Sequence, residues 1–278
     1  MNITQSELAD QMLEFVQAIP GSANLEWVKN RDFLFYFEAE RLLSIFRIMA
    51  DQGLRPDMEF EVLDVGYLHG LIAEFIHRRY PKARFTTVDR PDSPNFSNQE
   101  YLAVIRRRPY LDLVPCDILQ SGSLLKKRFR MIILGELIEH LDPTVVAQAL
   151  LALRALVTED GLLVVTTPNA GGFYNSYMLS SGGDSIVLPP IPEGTMGYGH
   201  IHLWTAPVLA KTAAWCGWRQ EKLFFNHGRE GELFCVANRR WLSLKAQVFL
   251  RTVKFLGDCK PSLRGFFVAG FSPIAPVG

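Results

Sequence analysis

The spacing of apolar and polar residues divides the chain into a helical N-terminal part and a longer part in which strands alternate with helices. Between residues 6 and 52 the apolar side chains recur at helical spacing, and the stretch "IPGS" separates two helices. Farther along, short apolar runs predict strands at residues 61–65, 84–89, 111–116, 129–134 and 162–167. The helices between these strands are predicted to begin near Gly70, Asn98 and Pro143.

Strands that alternate with helices imply right-handed crossovers, so we predict an α/β fold with a doubly wound, mostly parallel sheet. After a predicted helix at 206–216, the stretch "WRQEKLFFNHGREGELFCVANR" predicts two strands around a glycine turn, and hence an antiparallel C-terminal hairpin at the sheet edge. The predicted divisions are an N-terminal helical cap at 1–56, a main domain at 57–240 with an insertion at 168–205, and a C-terminal helix with an apolar tail at 241–278. The insertion is rich in glycine, proline and aromatic residues, and we expect it to cover a ligand.

Composition narrows the class of protein. Apolar residues make up 48% of the 278 residues, which is enough for a large core. Lysine plus arginine and aspartate plus glutamate both number 29, a balance that disfavours nucleic acid as the main partner without ruling out a local basic patch. The sequence shows no signal peptide, no transmembrane segment and no pair of closely spaced cysteines, so we expect a cytoplasmic location. Composition gives no information on the oligomeric state.

The stretch "VLDVGYLHG" places a glycine turn at the end of the first predicted strand. Such a turn lets backbone N–H groups approach a ligand closely. A dinucleotide fold needs glycine in the middle of this turn, where Leu68 stands, so NAD and FAD are disfavoured. Asp64 is a poor neighbour for phosphate but a good one for an ammonium group, and Asp89 can accept hydrogen bonds from both ribose hydroxyls. S-adenosylmethionine offers an ammonium group and a ribose without phosphate.

From residue 61 to residue 238 the chain resembles the class I S-adenosylmethionine-dependent methyltransferases, whose fold is Rossmann-like. The resemblance is carried by "VLDVGYLHG", "TTVDRP", "PCDIL", "ILGELIEHLDP", "LVTEDGLLVVTTPN" and "GHIHLWT", in the order typical of the family. It implies that S-adenosylmethionine is held by Asp64, Gly66, Tyr67, Gly70, Asp89, Arg90, Asp117, Ile118, Gly135 and Glu136. The family usually has glycine where this chain has Leu68.

The stretch "GELIEHL" spaces Glu136, Glu139 and His140 so that all three can share one helical face. Two carboxylates and an imidazole suit a divalent metal, with His200 or His202 as a further ligand. The stretch resembles the ubiquinone-pathway O-methyltransferases and the terminal 2′-O-methyltransferases of small RNAs. The latter resemblance implies a Mg²⁺ or Mn²⁺ site formed by Glu136, Glu139, His140 and His200. Without a metal, His140 or His200 is expected to act as a general base for a hydroxyl.

The sequence therefore predicts an S-adenosylmethionine-dependent methyltransferase that methylates a hydroxyl of a small molecule, a sugar or a natural product. One alternative is metal-assisted 2′-O-methylation of an RNA end. Another alternative, suggested by Leu68, is a methyltransferase-like protein that binds a ligand without catalysis.

Overall fold

The computed structural model describes residues 3–19, 34–66, 70–93, 96, 99–181, 200–227 and 243–275. Its sheet contains seven strands: β1 (Phe60–Val65), β2 (Ala83–Asp89), β3 (Leu111–Pro115), β4 (Phe129–Gly135), β5 (Val157–Pro168), β6 (Trp218–Asn226) and β7 (Phe266–Pro273). All five strands predicted between residues 61 and 167 are present. The sequence placed the start of the fifth too late, because β5 begins before the polar stretch "TED" and continues through it.

Nine α-helices are described: α1 (Gln5–Gln17), α2 (Leu34–Asp51), α3 (Leu71–Arg79), α4 (Gln99–Ile105), α5 (Ser121–Leu124), α6 (Pro143–Arg154), α7 (Phe173–Ser181), α8 (Ala206–Trp215) and α9 (Leu244–Cys259). The start of α6 shows how the sequence sets a boundary. The Asp142 side chain accepts a hydrogen bond from the Thr144 backbone N–H at 2.8 Å, and Pro143 occupies the first turn, where a missing N–H costs nothing.

The strand order is β3-β2-β1-β4-β5-β7-β6. The first five strands run parallel, and β7 lies antiparallel between β5 and β6. The predicted fold class is therefore confirmed. Strands β2 and β3 extend the sheet on one side of β1, and β4 and β5 extend it on the other, so the strand order reverses between β1 and β4. In open α/β sheets ligands bind beyond the carboxyl ends of the strands at such a point.

In the described part of the chain, the antiparallel partner of β6 comes from the apolar tail. We expected it directly after the glycine turn, at residues that lie outside the described part of the chain. In the structure β7 pairs with β6 along its whole length and comes from the apolar tail, with α9 between the two strands. The tail is therefore part of the sheet. The domain limits predicted from the sequence stay predictions.

The two N-terminal helices pack on one face of the sheet. Apolar residues of α1 and α2 share a continuous core with side chains from β1, β4, β5 and β7. A methyl group on Gly270 of β7 would lie 2.8 Å from Cγ2 of Ile48, so glycine is what allows α2 to approach the strand. The Phe37 and Phe266 rings meet edge to face at 4.6 Å, and the Ser44 hydroxyl donates to Asn226 at 3.1 Å.

The segment predicted as an irregular insertion contains a helix, α7, in its first part. Residues 182–199 of this segment lie outside the described residues. The Tyr177 ring packs against the Phe249 ring of α9 at 4.7 Å, and the Trp204 indole is buried and donates to the Ile138 carbonyl at 3.2 Å. These aromatic side chains thus have protein partners. No helix within the described ranges is both long and apolar enough to cross a bilayer.

Candidate active site

The turn after β1 lies at the carboxyl end of the sheet and combines two glycines with a buried acid. Gly66 and Gly70 have φ angles of 88° and 66°, which side chains rarely adopt, so both positions need glycine. The Gly66 N–H donates to the Val88 carbonyl at 3.0 Å, which ties this turn to β2. Tyr67 and Leu68, between the two glycines, lie outside the described residues. The placement of both glycines agrees with a close approach of the backbone to a ligand.

The Asp64 side chain, near the end of β1, is almost completely buried, with 3% of its surface exposed, and lies near the charged groups of Arg41 and Asp89. Burial raises the pKa of Asp64 from 3.8 to about 7, because a carboxylate loses its hydration there. The nearby Arg41 guanidinium opposes the rise in pKa, and the negative charge of Asp89 adds to it. A cation placed beside Asp64 would favour its ionised form.

The raised pKa of Asp64 predicts that the ligand-free protein loses stability as the pH rises. The folded state keeps a proton on Asp64 between pH 3.8 and about 7, whereas the unfolded chain releases it, so rising pH favours unfolding in this window. We expect a contribution of up to about 1.4 kcal/mol per pH unit from this group. Urea unfolding of the wild type and Asp64→Asn, at about pH 5 and about pH 8, measures the effect. Equal pH dependence in the two proteins would contradict it.

Asp89 ends β2 next to the turn after β1. Its Oδ1 accepts from the Arg90 backbone N–H at 2.8 Å, and its Oδ2 accepts from the Ser93 hydroxyl at 2.8 Å. These bonds fix the carboxylate plane, and each oxygen can accept a further hydrogen bond from a ligand hydroxyl. The Arg90 guanidinium is turned away towards Asp92, to which it donates two hydrogen bonds of 2.9 and 2.6 Å. Arg90 thus donates to Asp89 through its backbone N–H and to Asp92 through its guanidinium.

The chain after β3 comes close to Asp89. The Cys116 N–H donates to the Asp89 carbonyl at 2.8 Å, so Asp117 follows directly at the same end of the sheet. The Asp117 carboxylate accepts from the Leu119 N–H at 2.8 Å and caps a short 3₁₀ helix, Ile118–Gln120. Ile118 is mostly buried. The structure thus brings together Asp64, Asp89 and Asp117, which are far apart in sequence.

Glu136, directly after β4, has a backbone conformation that sequence patterns do not reveal. Its φ angle is 52°, and it is the one described residue other than glycine with a positive φ. The Glu136 N–H donates to the Thr166 carbonyl and hydroxyl oxygens, each at 3.2 Å, and the Thr166 hydroxyl donates back to Glu136 Oε1 at 2.9 Å. Such strain, of order 1–3 kcal/mol, persists where surrounding contacts hold it, and it marks functional sites.

The predicted helical turn that would align Glu136 with Glu139 and His140 does not form. The 3₁₀ helix there is Ile138–His140, and the left-handed conformation at Glu136 turns its carboxylate towards Thr166. Glu136 therefore lies outside the cluster that Glu139 forms with His140 and His200, although its carboxyl group lies beside that of Glu139. Its pKa is raised well above the ordinary value, first by burial and then by the charge of Glu139.

Glu139, His140 and His200 form a compact cluster. Their possible ligand atoms all lie within 4.8 Å of one another, and the two imidazole rings meet at 4.8 Å. The Glu139 carbonyl accepts from the N–H groups of Ile201 and His202 at 2.9 and 3.2 Å, which places the chain from residue 200 beside the 3₁₀ helix. Glu139 Oε2 accepts from the Thr167 hydroxyl at 3.0 Å, whereas Oε1 is buried without a hydrogen-bond partner among the described residues.

Arg41 of α2 is a site residue that the sequence analysis missed. Its side chain is buried, forms an ion pair with Glu38, and places Nη1 3.6 Å from Glu136 Oε1. Burial disfavours its charged form, yet its pKa is raised because four carboxylates lie near it: Glu38, Glu136, Asp64 and Glu139. The signal was present in the sequence, since Arg41 falls on the same helical face as Phe37, Ile45 and Ile48.

Solved structures with a similar fold are known at low sequence identity. One similar structure is a cyclopropane-fatty-acyl-phospholipid synthase-like protein from Lactobacillus casei, with 11% identity, 96% of this chain and 99% of that chain covered, and a TM-score of 0.56. A second is the 1,6-didemethyltoxoflavin-N1-methyltransferase of Burkholderia thailandensis with bound S-adenosylhomocysteine, with 14% identity, coverage of 99% and 92%, and a TM-score of 0.53. A third is a SAM-dependent methyltransferase from Archaeoglobus fulgidus, with 16% identity, coverage of 87% and 100%, and a TM-score of 0.51.

This chain has a Rossmann-like methyltransferase fold. The sequence itself matches no protein-family model and no curated protein. At identities of 11–16% the similarity concerns the fold, and the chemistry has to be argued from the residues in the crevice.

Proposed function

We propose that this protein is a methyltransferase that transfers the methyl group of S-adenosylmethionine to a hydroxyl oxygen of a small molecule. The observation that carries the proposal is the pairing of two features at one end of the sheet. An acidic crevice follows β1 and β2, and a cluster of one carboxylate and two imidazoles follows β4. The first suits a cationic nucleoside, and the second suits removal of a proton from an acceptor.

The crevice fits S-adenosylmethionine by its charge and by its backbone. Four carboxylates lie near the single guanidinium of Arg41, so a ligand with a sulfonium and an ammonium group is favoured over one with phosphates. The positive φ angles of Gly66 and Gly70 are backbone conformations that let N–H groups approach a ligand closely. The similar structure from Burkholderia thailandensis, which contains S-adenosylhomocysteine, supports the same assignment.

The residues are assigned to parts of the cofactor by their position along the sheet. Asp64, Gly66 and Gly70 face the methionine part, Asp89 accepts from the ribose hydroxyls, and Asp117 with Ile118 borders the adenine. Gly135 and Glu136 line the crevice at the end of β4. Tyr67 keeps its predicted role in this assignment, whereas Arg90 contributes its backbone, because its guanidinium is paired with Asp92.

Bound S-adenosylmethionine supplies an electrophilic methyl group on a sulfonium sulfur. The task left to the chain is to align the acceptor oxygen and to take its proton. His140 and His200 are the bases assigned to this step, since imidazole accepts a proton near neutral pH. Glu139, whose pKa burial raises to about 7, lies near both rings.

A metal-assisted reaction is the second candidate, and the cluster of Glu139, His140 and His200 favours it. One carboxylate and two imidazoles are a donor set that suits Mn²⁺ better than Mg²⁺, and the buried Oε1 of Glu139 could complete its bonding on an ion. This candidate corresponds to 2′-O-methylation of an RNA end. The pairing of basic side chains counts against RNA, because side chains that could bind phosphates already have acidic partners in the chain. Arg108 pairs with Glu74, Lys127 with Glu61 and Arg130 with Asp160.

The proposal is tested first by calorimetric titration with S-adenosylmethionine and S-adenosylhomocysteine. We expect both to bind and to raise the melting temperature by mass action. Incubation with S-adenosylmethionine and a panel of phenols, sugars and RNA ends should then yield a mass increase of one methyl group on a hydroxyl acceptor. Absence of binding would overturn the proposal. Binding without transfer to any acceptor class would favour the non-catalytic alternative.

A further inference from the structure

Arg41 reaches the crevice from a helix that precedes every strand of the sheet. Its guanidinium lies against the end of β4, since a methyl group on Gly135 would lie 3.8 Å from Arg41 Nη1. One nitrogen, Nη2, bonds Glu38 on the same helix, and the other faces Glu136 across the crevice wall. A planar guanidinium can serve two carboxylates at once in this way, which a lysine ammonium on a flexible stem cannot.

We propose that Arg41 is a positioning residue that holds the Glu136 carboxylate on the cofactor side of the crevice. Glu136 has two supports, the Thr166 hydroxyl at 2.9 Å and the Arg41 guanidinium at 3.6 Å. These contacts hold the Glu136 carboxyl group beside that of Glu139, which belongs to the cluster with His140 and His200. This inference rests on the proposed function.

The attachment of α2 to the sheet does not depend on Arg41. The helix is held by the close contact of Ile48 with Gly270, by Phe37 against Phe266 and by the hydrogen bond from Ser44 to Asn226. A buried arginine costs several kcal/mol in lost hydration, which its carboxylate partners must offset. An apolar residue would fill the same space without that cost, so the charge at position 41 points to a role in the crevice.

The test measures the dissociation constant of S-adenosylhomocysteine by calorimetry for the wild type, Arg41→Met, Arg41→Lys and Thr166→Val. We expect Arg41→Met to bind about tenfold more weakly or worse, because Glu136 loses its charged support. Arg41→Lys restores part of the affinity by keeping the charge. Thr166→Val removes the hydroxyl that supports Glu136 and keeps the charge and shape of the side chain, so we expect it to weaken binding too. This variant keeps the test possible if Arg41→Met does not fold.

Glu40→Gln is the matched control on the same helix. The Glu40 carboxylate accepts from the His227 N–H, just after the end of β6, at 3.1 and 3.2 Å. We expect this variant to lower the melting temperature but to bind S-adenosylhomocysteine like the wild type. If the Arg41 and Thr166 variants behave like Glu40→Gln, with lower stability and unchanged affinity, the inference is wrong and the proposed function stands. If the wild type itself fails to bind, the proposed function falls and the inference falls with it.

Discussion

Replacing His140 or His200 with alanine is expected to reduce the rate of methyl transfer by about 100- to 1,000-fold while cofactor affinity stays within about twofold. A positioned base contributes to the transition state and not to the binding of the cofactor, so kcat falls and the dissociation constant does not. The two imidazole rings lie 4.8 Å apart and form a cluster with the buried Glu139, which follows β4. The measurement is steady-state methyl transfer to the acceptor found by mass increase, with calorimetry for the cofactor.

His77→Ala is the control for removal of an imidazole. The His77 ring, on α3, stacks on Tyr110 at 3.7 Å and does not belong to the cluster of Glu139, His140 and His200, so methyl transfer should persist.

A chelator distinguishes a reaction with a histidine base from a metal-assisted reaction. Unchanged activity in chelator supports a histidine base, whereas loss of activity that Mn²⁺ restores supports a metal held by Glu139, His140 and His200. Full activity in both histidine variants would remove this cluster from the mechanism.

Asp89→Ala is expected to weaken the binding of S-adenosylhomocysteine by about 100-fold. A carboxylate that accepts from two ribose hydroxyls contributes two charge-assisted hydrogen bonds of about 1.5 kcal/mol each, and 1.4 kcal/mol corresponds to a factor of ten. The bonds from the Arg90 N–H and the Ser93 hydroxyl hold the carboxylate in place before the ligand arrives. Calorimetric titration of the variant and the wild type measures the difference.

Two variants separate the ribose contact from the shape of the turn. Asp92→Ala removes a neighbouring exposed carboxylate that pairs with Arg90, and we expect it to leave affinity within about twofold. Ser93→Ala loosens the Asp89 side chain and should have an intermediate effect. An equal loss of affinity in Asp92→Ala and Asp89→Ala would show that the turn as a whole matters and that Asp89 has no special contact.

The parallel part of the sheet could be predicted because its signals are local. Each of β1, β2, β3 and β4 is a short apolar run ended by a polar residue or glycine, and α6 carries its cap and its proline within three residues. The acids at the strand ends followed from the same pattern, since the carboxyl ends of parallel strands meet at one edge. Asp64 and Asp89 could therefore be placed together from the strand pattern, whereas Asp117 was added by the resemblance to class I methyltransferases.

The features that escaped prediction depend on contacts between distant parts of the chain. The strand β7 looks like an apolar tail until β5 and β6 are present to pair with it. Arg41 falls on the apolar face of α2, but the sequence does not show that this face meets the end of β4. The left-handed backbone of Glu136 has no signature in residue type, and it is held by Thr166, thirty residues farther along. The periodicity of apolar residues shows which face of a helix is buried, but not which charged side chain on that face reaches a site.

The position of β7 also bears on how the chain reaches its native state. The helix α2 leaves the ribosome early, yet the strand against which Ile48 packs is made far later. Contacts between such distant segments slow folding, because a long loop must close before they form. A nascent chain that stops short of residue 266 exposes the apolar side of α2 and an open edge on β5, which are the surfaces that chaperones bind and that drive aggregation.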